Sequence, residues 1–350
     1  MAFNCVKYDI LRNKLASEFK FSNSACGLVT SFLTNRSQIV KIDTVTSTER
    51  PLTDGTPQGS CLSALLFSIY INSLPKDLSC QYHMYADDLQ LYVSGPIADA
   101  NRLINMLNSD LQKIYRWSIE NCLFPNPKKT QAIIFSKEGN ISPDLNITFC
   151  NDIIPLSKTV TNLGVKLDEK MTWTNQVNEV VSRIYLTLRT FNRFKTVLPT
   201  PTRMKLVQAV IIPLFSYYDV VYYPGLTMRQ KQQLQRSFKS AVRFVYNLRR
   251  LDTTEHLRRT IIGVDLLQNY QHRVLHFMRR CHNNEQPGYI IEHLLRGQND
   301  RTRCFVLPRH TTTTKKSVLI HGVSCWNHLP LAVRQAPTLS KFEADLRSIM

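Results

Sequence analysis

No stretch of this sequence reaches the ~18 consecutive apolar residues that a membrane-crossing helix needs. The nearest approach, LVQAVIIPLFSYYDVVYYPG at 206–225, is interrupted by Gln208, Pro213 and Asp219. That predicts a buried helix followed by a turn, with no membrane partner. The CxxC pair is missing as well. Nine cysteines are scattered singly and no apolar signal-like run follows Met1, which argues against a disulfide framework and for buried thiols in a reducing, intracellular setting. Internal repeats and long flexible linkers are absent too. Acid is scarce in the second half: residues 1–175 carry 17 Lys and Arg against 16 Asp and Glu, whereas the remainder carries 27 against 10. Nearly all of the net charge of +18 therefore sits beyond residue 175, and a basic module of this kind expects a polyanion or an anionic surface as partner.

What is present is ordinary globular material, 350 residues with 43% hydrophobic side chains, enough for two or three domains with real cores. Residues 8–34 have helical apolar spacing, and SQIVKIDTVT at 37–46 is β-like. LTDGTPQGSCLSALLFSIYINSLP at 52–75 places a Gly- and Pro-containing turn ahead of an apolar helix ending at Leu74-Pro75,. From 98 to 121, Leu103, Ile104, Leu107, Leu111, Ile114 and Trp117 fall on one side of a helix,. KKTQAIIFS then predicts a strand, and strands and helices are expected to alternate on one sheet. Short strands and turns are expected over 140–173. Beyond about residue 175 the pattern turns helical and basic, until 311–350 combines a Thr run, a β-like stretch and a closing helix.

YHMYADDLQLYV at 82–93 sets Asp87 and Asp88 between two β-forming runs, which predicts a hairpin with acids at the bend. Burying two like charges unpaired would cost several kcal/mol. The plain reading is a solvent-exposed turn. The sharper one is a hard divalent cation held by carboxylate oxygens and shared with substrate phosphates.

YADD in a hairpin, about 28 residues after a PQG turn and with an apolar helix between them, resembles the palm of reverse transcriptases, specifically those of non-LTR retrotransposons. Further segments resemble that family in its order: MAFNCVKYDIL at the start, NPKKTQAIIFS, TNLGVKLDEKMTW, and a tail containing WNHLP. The resemblance implies an α+β fold, a polymerase palm of antiparallel sheet with packed helices over 1–174. A mainly helical, basic, thumb-like domain is expected over 175–310 and a tail segment over 311–350. It implies template-directed transfer of a dNTP to a primer 3′-hydroxyl by two Mg²⁺ ions, with RNA template, DNA primer and their hybrid as partners. Asp87 and Asp88 match the metal-binding acids, and Tyr85 the compact turn beneath the primer terminus. Gln58 and Gly59 match the loop lining the dNTP pocket. Phe3 matches the aromatic that excludes a ribose 2′-hydroxyl, with a core aromatic as the equal alternative. Lys128 or Lys129 matches a lysine that could protonate pyrophosphate, against the alternative of two solvated lysines. Leu163 and Gly164 match the bend of the primer grip.

In the basic half, Arg229, Lys231, Arg236, Lys239, Arg243, Arg249 and Arg250, interleaved with Phe238, Phe244 and Tyr246, are expected to meet phosphates; a solvated helix surface accounts for part of the same set. Cys281, His282, His293 and Cys304 fit no usual zinc spacing. One departure matters. The family's third carboxylate would lie three residues before Met1, and Asn4 stands where an acid usually follows the phenylalanine. The expectation is therefore a palm truncated at its start, with an incomplete two-metal site and little polymerase activity alone. A nucleic-acid-binding remnant is the alternative, and a complementing chain supplying the missing strand a third. Nuclear or ribonucleoprotein localisation is expected by family analogy alone.

Overall fold

The computed structural model describes residues 2–136, 145–294, 304–307 and 317–349. Met1, the Thr run at 311–314 and the expected domain boundary at 310/311 lie outside them. The chain divides into two compact units, 1–163 and 164–350. The division falls at Leu163/Gly164 rather than near 175, because the segment after Gly164 folds onto the helical unit. In that segment Asp168 Oδ2 accepts from the backbone N–H of Thr172 and Trp173. Trp173 is buried beside Gly225, where a Cβ would lie 2.7 Å from the indole nitrogen.

Unit 1 opens with a short 3₁₀ turn, Ala2–Cys5, then α1 (Tyr8–Ser17) and α2 (Asn23–Leu33). β1 (Arg36–Gln38), β2 (Lys41–Ile42), β3 (Val45–Thr46) and β4 (Arg50–Leu52) follow. α3 (Cys61–Ile71) starts because Ser60 caps it, its hydroxyl accepting from Leu62 N–H,. Ser63, Leu66, Phe67, Ile69, Tyr70 and Ile71 are its buried residues, while Leu62 and Leu65 on the same apolar helix stay exposed. β5 (Gln81–Tyr85) and β6 (Asp88–Tyr92) form the acidic hairpin, and α4 (Ala100–Glu120) carries the apolar stripe read from the sequence. β7 (Ile147–Phe149), β8 (Asp152–Ile154) and β9 (Thr159–Asn162) complete the unit.

The expected single sheet is corrected by the structure. Among the described residues, unit 1 contains separate antiparallel pairs, β1 with β4, β2 with β3, β5 with β6 and β7 with β8. The strand expected at KKTQAIIFS is reduced to one parallel bridge, Ala132 to Leu156. Proline explains part of this, since Pro51 sits inside β4 and Pro155 occupies the position whose N–H would extend the Ala132 bridge; neither can donate to a ladder.

Two clusters hold unit 1. Leu11, Leu15, Cys26, Leu33, Leu66, Phe67 and Tyr70 join α1, α2 and α3, and Leu111, Ile114, Ile147, Phe149 and Ile154 join α4 to β7 and β8. Lys14 ties the first cluster to α3. Its buried ammonium donates to Tyr70 O at 2.7 Å and Ser73 Oγ at 2.8 Å, and lies 4.9 Å from the Trp117 ring centre. Burial lowers its pKa to about 8.

Unit 2 begins with β10 (Val165–Asp168) and is otherwise helical among the described residues: α5 (Thr174–Asn192), α6 (Thr200–Leu206), α7 (Ile212–Ser216), α8 (Asp219–Tyr222), α9 (Met228–Tyr246), α10 (Arg258–Ile262), α11 (Leu266–His282), α12 (Gly288–Ile291), α13 (Val318–Asn327), α14 (Leu331–Arg334) and α15 (Leu339–Ile349). Between α6 and α7 the chain makes a π-helical turn, Val207–Ile211, just ahead of Pro213, which has no N–H for the i−4 carbonyl. Among the described residues no single helix is long and apolar enough to cross a membrane; the segments 200–216 and 219–225 pass together only as a pair bent by 41°. Val207, Ile211, Phe215 and Tyr222 from that pair are buried in the unit's core.

The WNHLP tail has a clear packing role. Trp326 is fully buried, and the Asn327 side-chain amide both donates to Phe305 O (2.8 Å) and accepts from Phe305 N–H (3.0 Å). Three buried arginines serve the same unit. Arg203 donates to Phe244 O, Arg279 to Ala336 O and Arg334 to Leu329 O, satisfying carbonyls at or just past helix ends. Part of the basic surplus is therefore structural.

Candidate active site

The hairpin is a two-residue turn, Ala86-Asp87, closed by the Tyr85–Asp88 pair at the end of the β5–β6 ladder. Ala86 takes a left-handed φ of +52°, a conformation that costs a residue with a Cβ roughly 1 kcal/mol or more. Asp88 is the first residue of β6 rather than part of the bend. Both carboxylates are exposed and Tyr85 is 68% exposed, so the electrostatic cost of burying two acids does not arise. The hairpin is instead fixed from behind: Met84 packs on the α1–α3 cluster, while Leu89 and Leu91 pack on the α4–β7–β8 cluster.

Asp110 fixes the base of the same hairpin. This fully buried residue of α4 accepts from Ser79 N–H at 2.7 Å and Cys80 N–H at 2.6 Å, immediately before β5, while its other oxygen takes Lys113 Nζ at 2.7 Å. Burial alone would raise its pKa, but Lys113 and the two amides outweigh it and hold the carboxyl below the ordinary range. Sequence reasoning missed it. The signal was available, because position 110 lies on the stripe of Leu103, Leu107, Ile114 and Trp117, and an acid on an apolar face needs partners.

A second group forms around the PQG loop. Gly55 N–H donates to Val6 O and Thr56 N–H to Phe3 O, both at 2.9 Å, and Lys7 pairs with Asp54 at 2.7 Å. Gly55 is held at φ +81°, and a Cβ there would lie 2.8 Å from Asn4 Cα, so the close approach requires glycine. Gln58 Nε2 donates to Asn4 Oδ1 at 3.2 Å. Phe3 is half-buried and stacks on Phe67 with ring centres 4.3 Å apart, the core contact that the sequence held open as an alternative. Phe3 and Met84 rest on one cluster, so the loop and the hairpin share a foundation. Gly59 has φ +82° with open space where a Cβ would stand; its backbone angle, not crowding, favours glycine.

Lys128 and Lys129 are exposed on a 3₁₀ turn, Pro127–Lys129, capped by Asn126. Leu163 and Gly164 both adopt positive φ, +45° and +79°, a sharp bend between β9 and β10. In unit 2, the helical rotation of about 100° per residue places Arg229, Arg236, Lys239 and Arg243 within an arc of about 80° on α9. Lys231 is set about 200° from Arg229 on the same helix, so it does not belong to that ridge. Arg249 and Arg250 are exposed just past the helix end. Arg243 is partly engaged, its Nη2 reaching Asp252 O at 3.4 Å.

A protein-family model described as reverse transcriptase (RNA-dependent DNA polymerase) matches residues 1–167. Residues 1–167 belong to the reverse transcriptase family. The resemblance to non-LTR retrotransposon enzymes agrees with what else the chain is similar to. A Drosophila melanogaster protein named "Probable RNA-directed DNA polymerase from transposon BS" is 27% identical over 194 residues, 53% of this chain and 21% of that protein. The "RNA-directed DNA polymerase from mobile element jockey", also from Drosophila melanogaster, is 23% identical over 163 residues, 44% of this chain and 17% of its own length. The chain spans about a fifth of the length of the curated relatives it matches.

Reverse transcriptases use divalent metal, and Asp87 and Asp88 offer the hard oxygen donors that such an ion takes. Among the described residues, however, no three His, Cys, Asp or Glu side chains come together to hold a metal ion. Next to Phe3 stands the amide of Asn4, already paired with Gln58. The reverse-transcriptase residues described here thus do not by themselves complete a two-metal site.

Proposed function

We propose that this chain contributes the palm, and a thumb-like basic helical part, to the RNA-directed DNA polymerase of a non-LTR retrotransposon. Its partners are RNA template, DNA primer, their hybrid and dNTP, with Mg²⁺ as the metal that Asp87 and Asp88 would help to bind. The observation that carries this is the rigidly backed hairpin bearing two exposed adjacent carboxylates within the matched family region. Tyr85 gives the primer terminus a flat surface beside those carboxylates. Phe3, Gln58 and Gly59 line the nucleotide's side of the palm, Lys128 and Lys129 face the leaving pyrophosphate, and the Leu163–Gly164 bend is the primer grip. Arg229, Arg236, Lys239, Arg243, Arg249 and Arg250 hold backbone phosphates. Nuclear or ribonucleoprotein residence belongs to the same proposal.

A second reading, binding without nucleotide transfer by this chain alone, is favoured by the missing third metal-binding side chain among the described residues. The test is primer extension. The full chain is mixed with an RNA template, annealed labelled DNA primer, Mg²⁺ and four dNTPs, and both complex and primer length are read. The expected result is a bound hybrid with the primer at its starting length. Extension that disappears in Asp87→Asn would overturn the binding-only reading, and no complex even at low salt would overturn the function proposed.

A further inference from the structure

Lys231, turned away from the α9 ridge, lines an open-mouthed cavity of about 320 Å³ together with Tyr223, Pro224, Leu267, Tyr270, Gln271 and His321. We propose that this cavity receives one unpaired nucleobase from a single-stranded segment adjoining the bound hybrid. The inference rests on the nucleic-acid-binding reading above and adds a site to it. All of the lining belongs to unit 2, brought together by the turn after α8 and by α9, α11 and α13.

The chemistry selects the ligand. Tyr223 and Tyr270 stack with ring centres 4.2 Å apart, and His321 continues the stack 6.0 Å from Tyr270, an aromatic wall that a flat π-system entering the cavity meets edge to face rather than by stacking on the two buried tyrosines,. The Lys231 ammonium lies 5.1 Å from the Tyr223 ring centre and is the cation available to the nucleotide's phosphate. The Gln271 amide can both donate to and accept from a base edge. Tyr270 Oη is buried without a hydrogen-bond partner, an exception among buried polar groups that calls for an explanation. The volume is at the small end for ligand sites, roughly 300–1,000 Å³, so it fits one ring system and excludes a duplex. Burial lowers the pKa of His321, reinforced by the charge of Lys231, which keeps the ring neutral and free of charge repulsion at pH 7. RNA-binding proteins read unpaired bases through aromatic contacts combined with hydrogen bonds to the base edge.

The experiment compares two RNA/DNA hybrids of equal duplex length, one blunt and one with a short template overhang carrying 2-aminopurine. The full chain is expected to bind the overhang substrate about fivefold more tightly, the scale of one edge-to-face aromatic contact, and to change the 2-aminopurine fluorescence. Leu267→Trp, at the partly exposed mouth, should fill the cavity and abolish both effects while leaving blunt-hybrid affinity unchanged. Gln271→Ala should weaken both effects and serves as the check if Leu267→Trp melts early. Equal affinity for the two hybrids, or an overhang preference that survives in a folded Leu267→Trp, overturns the site. Loss of blunt-hybrid binding in the wild type would instead count against the proposed function, and the fluorescence response to the overhang strand still judges the cavity.

Discussion

Hybrid affinity is expected to fall about 10³-fold between about 50 and 200 mM monovalent salt, the result of about six neutralised phosphates at a slope near −0.9 each. The six are the α9 ridge of Arg229, Arg236, Lys239 and Arg243 with Arg249 and Arg250 beyond its end. They are exposed or half-exposed, and their charge is not consumed by ion pairs that the structure records. The buried arginines contribute nothing to this slope, since Arg203, Arg279 and Arg334 spend their guanidinium groups on backbone carbonyls. Arg236→Gln should therefore reduce the magnitude of the slope by about one, whereas a variant at Arg203 should alter stability and leave the slope alone. Fluorescence anisotropy of a labelled hybrid across a salt series reads both. A flat salt dependence would remove the ridge as the binding surface.

Asp110→Ala is expected to destabilise unit 1 by about 2 kcal/mol, because two short bonds from backbone amides to a charged acceptor are lost and the Cys80 amide is left buried without a partner, while exposed Ser79 can turn to water,. Asp110→Asn keeps an acceptor oxygen and should recover part of the loss. Denaturant unfolding gives the magnitude, and amide exchange at Ser79 and Cys80 locates it at the base of the hairpin. The pH dependence follows from the lowered pKa of this carboxyl. A group whose folded pKa is depressed contributes fully above its unfolded value, and that contribution is lost as pH falls through the folded one. Acid unfolding of the wild type should accordingly include a component below about pH 4 that is missing from Asp110→Ala. A variant as stable as the wild type, with unchanged exchange at Ser79 and Cys80, would contradict the role given to this residue.

The hairpin was legible because its signal is local: two β-forming runs, a two-residue bend and adjacent acids all lie within twelve residues. The α4 stripe was legible for the same reason. What the sequence concealed depends on contacts across it. Asn4 and Gln58 are 54 positions apart and meet only when the loop carrying Gly55 packs on the opening turn. The unit boundary was placed by charge, but the fold follows packing, and Asp168 and Trp173 carry 164–174 into the helical unit. Arginines that cap helix carbonyls look the same in sequence as arginines that meet phosphate. Only burial separates Arg203 from Arg236. Phe3 shows a different limit, because a ring stacked on the core, as this one is on Phe67, looks the same in sequence as a ring that faces a ligand.

The central claim is that the primer terminus sits at the Tyr85–Asp88 bend. Photo-crosslinking tests it directly, with 4-thiothymidine placed at the 3′ end of a DNA primer annealed to an RNA template and the crosslinked peptide identified by mass spectrometry. The account predicts crosslinks within residues 81–92, lost when the photoreactive base is moved well into the duplex. Crosslinks confined to residues beyond 164, or spread equally whatever the position of the probe, would contradict it.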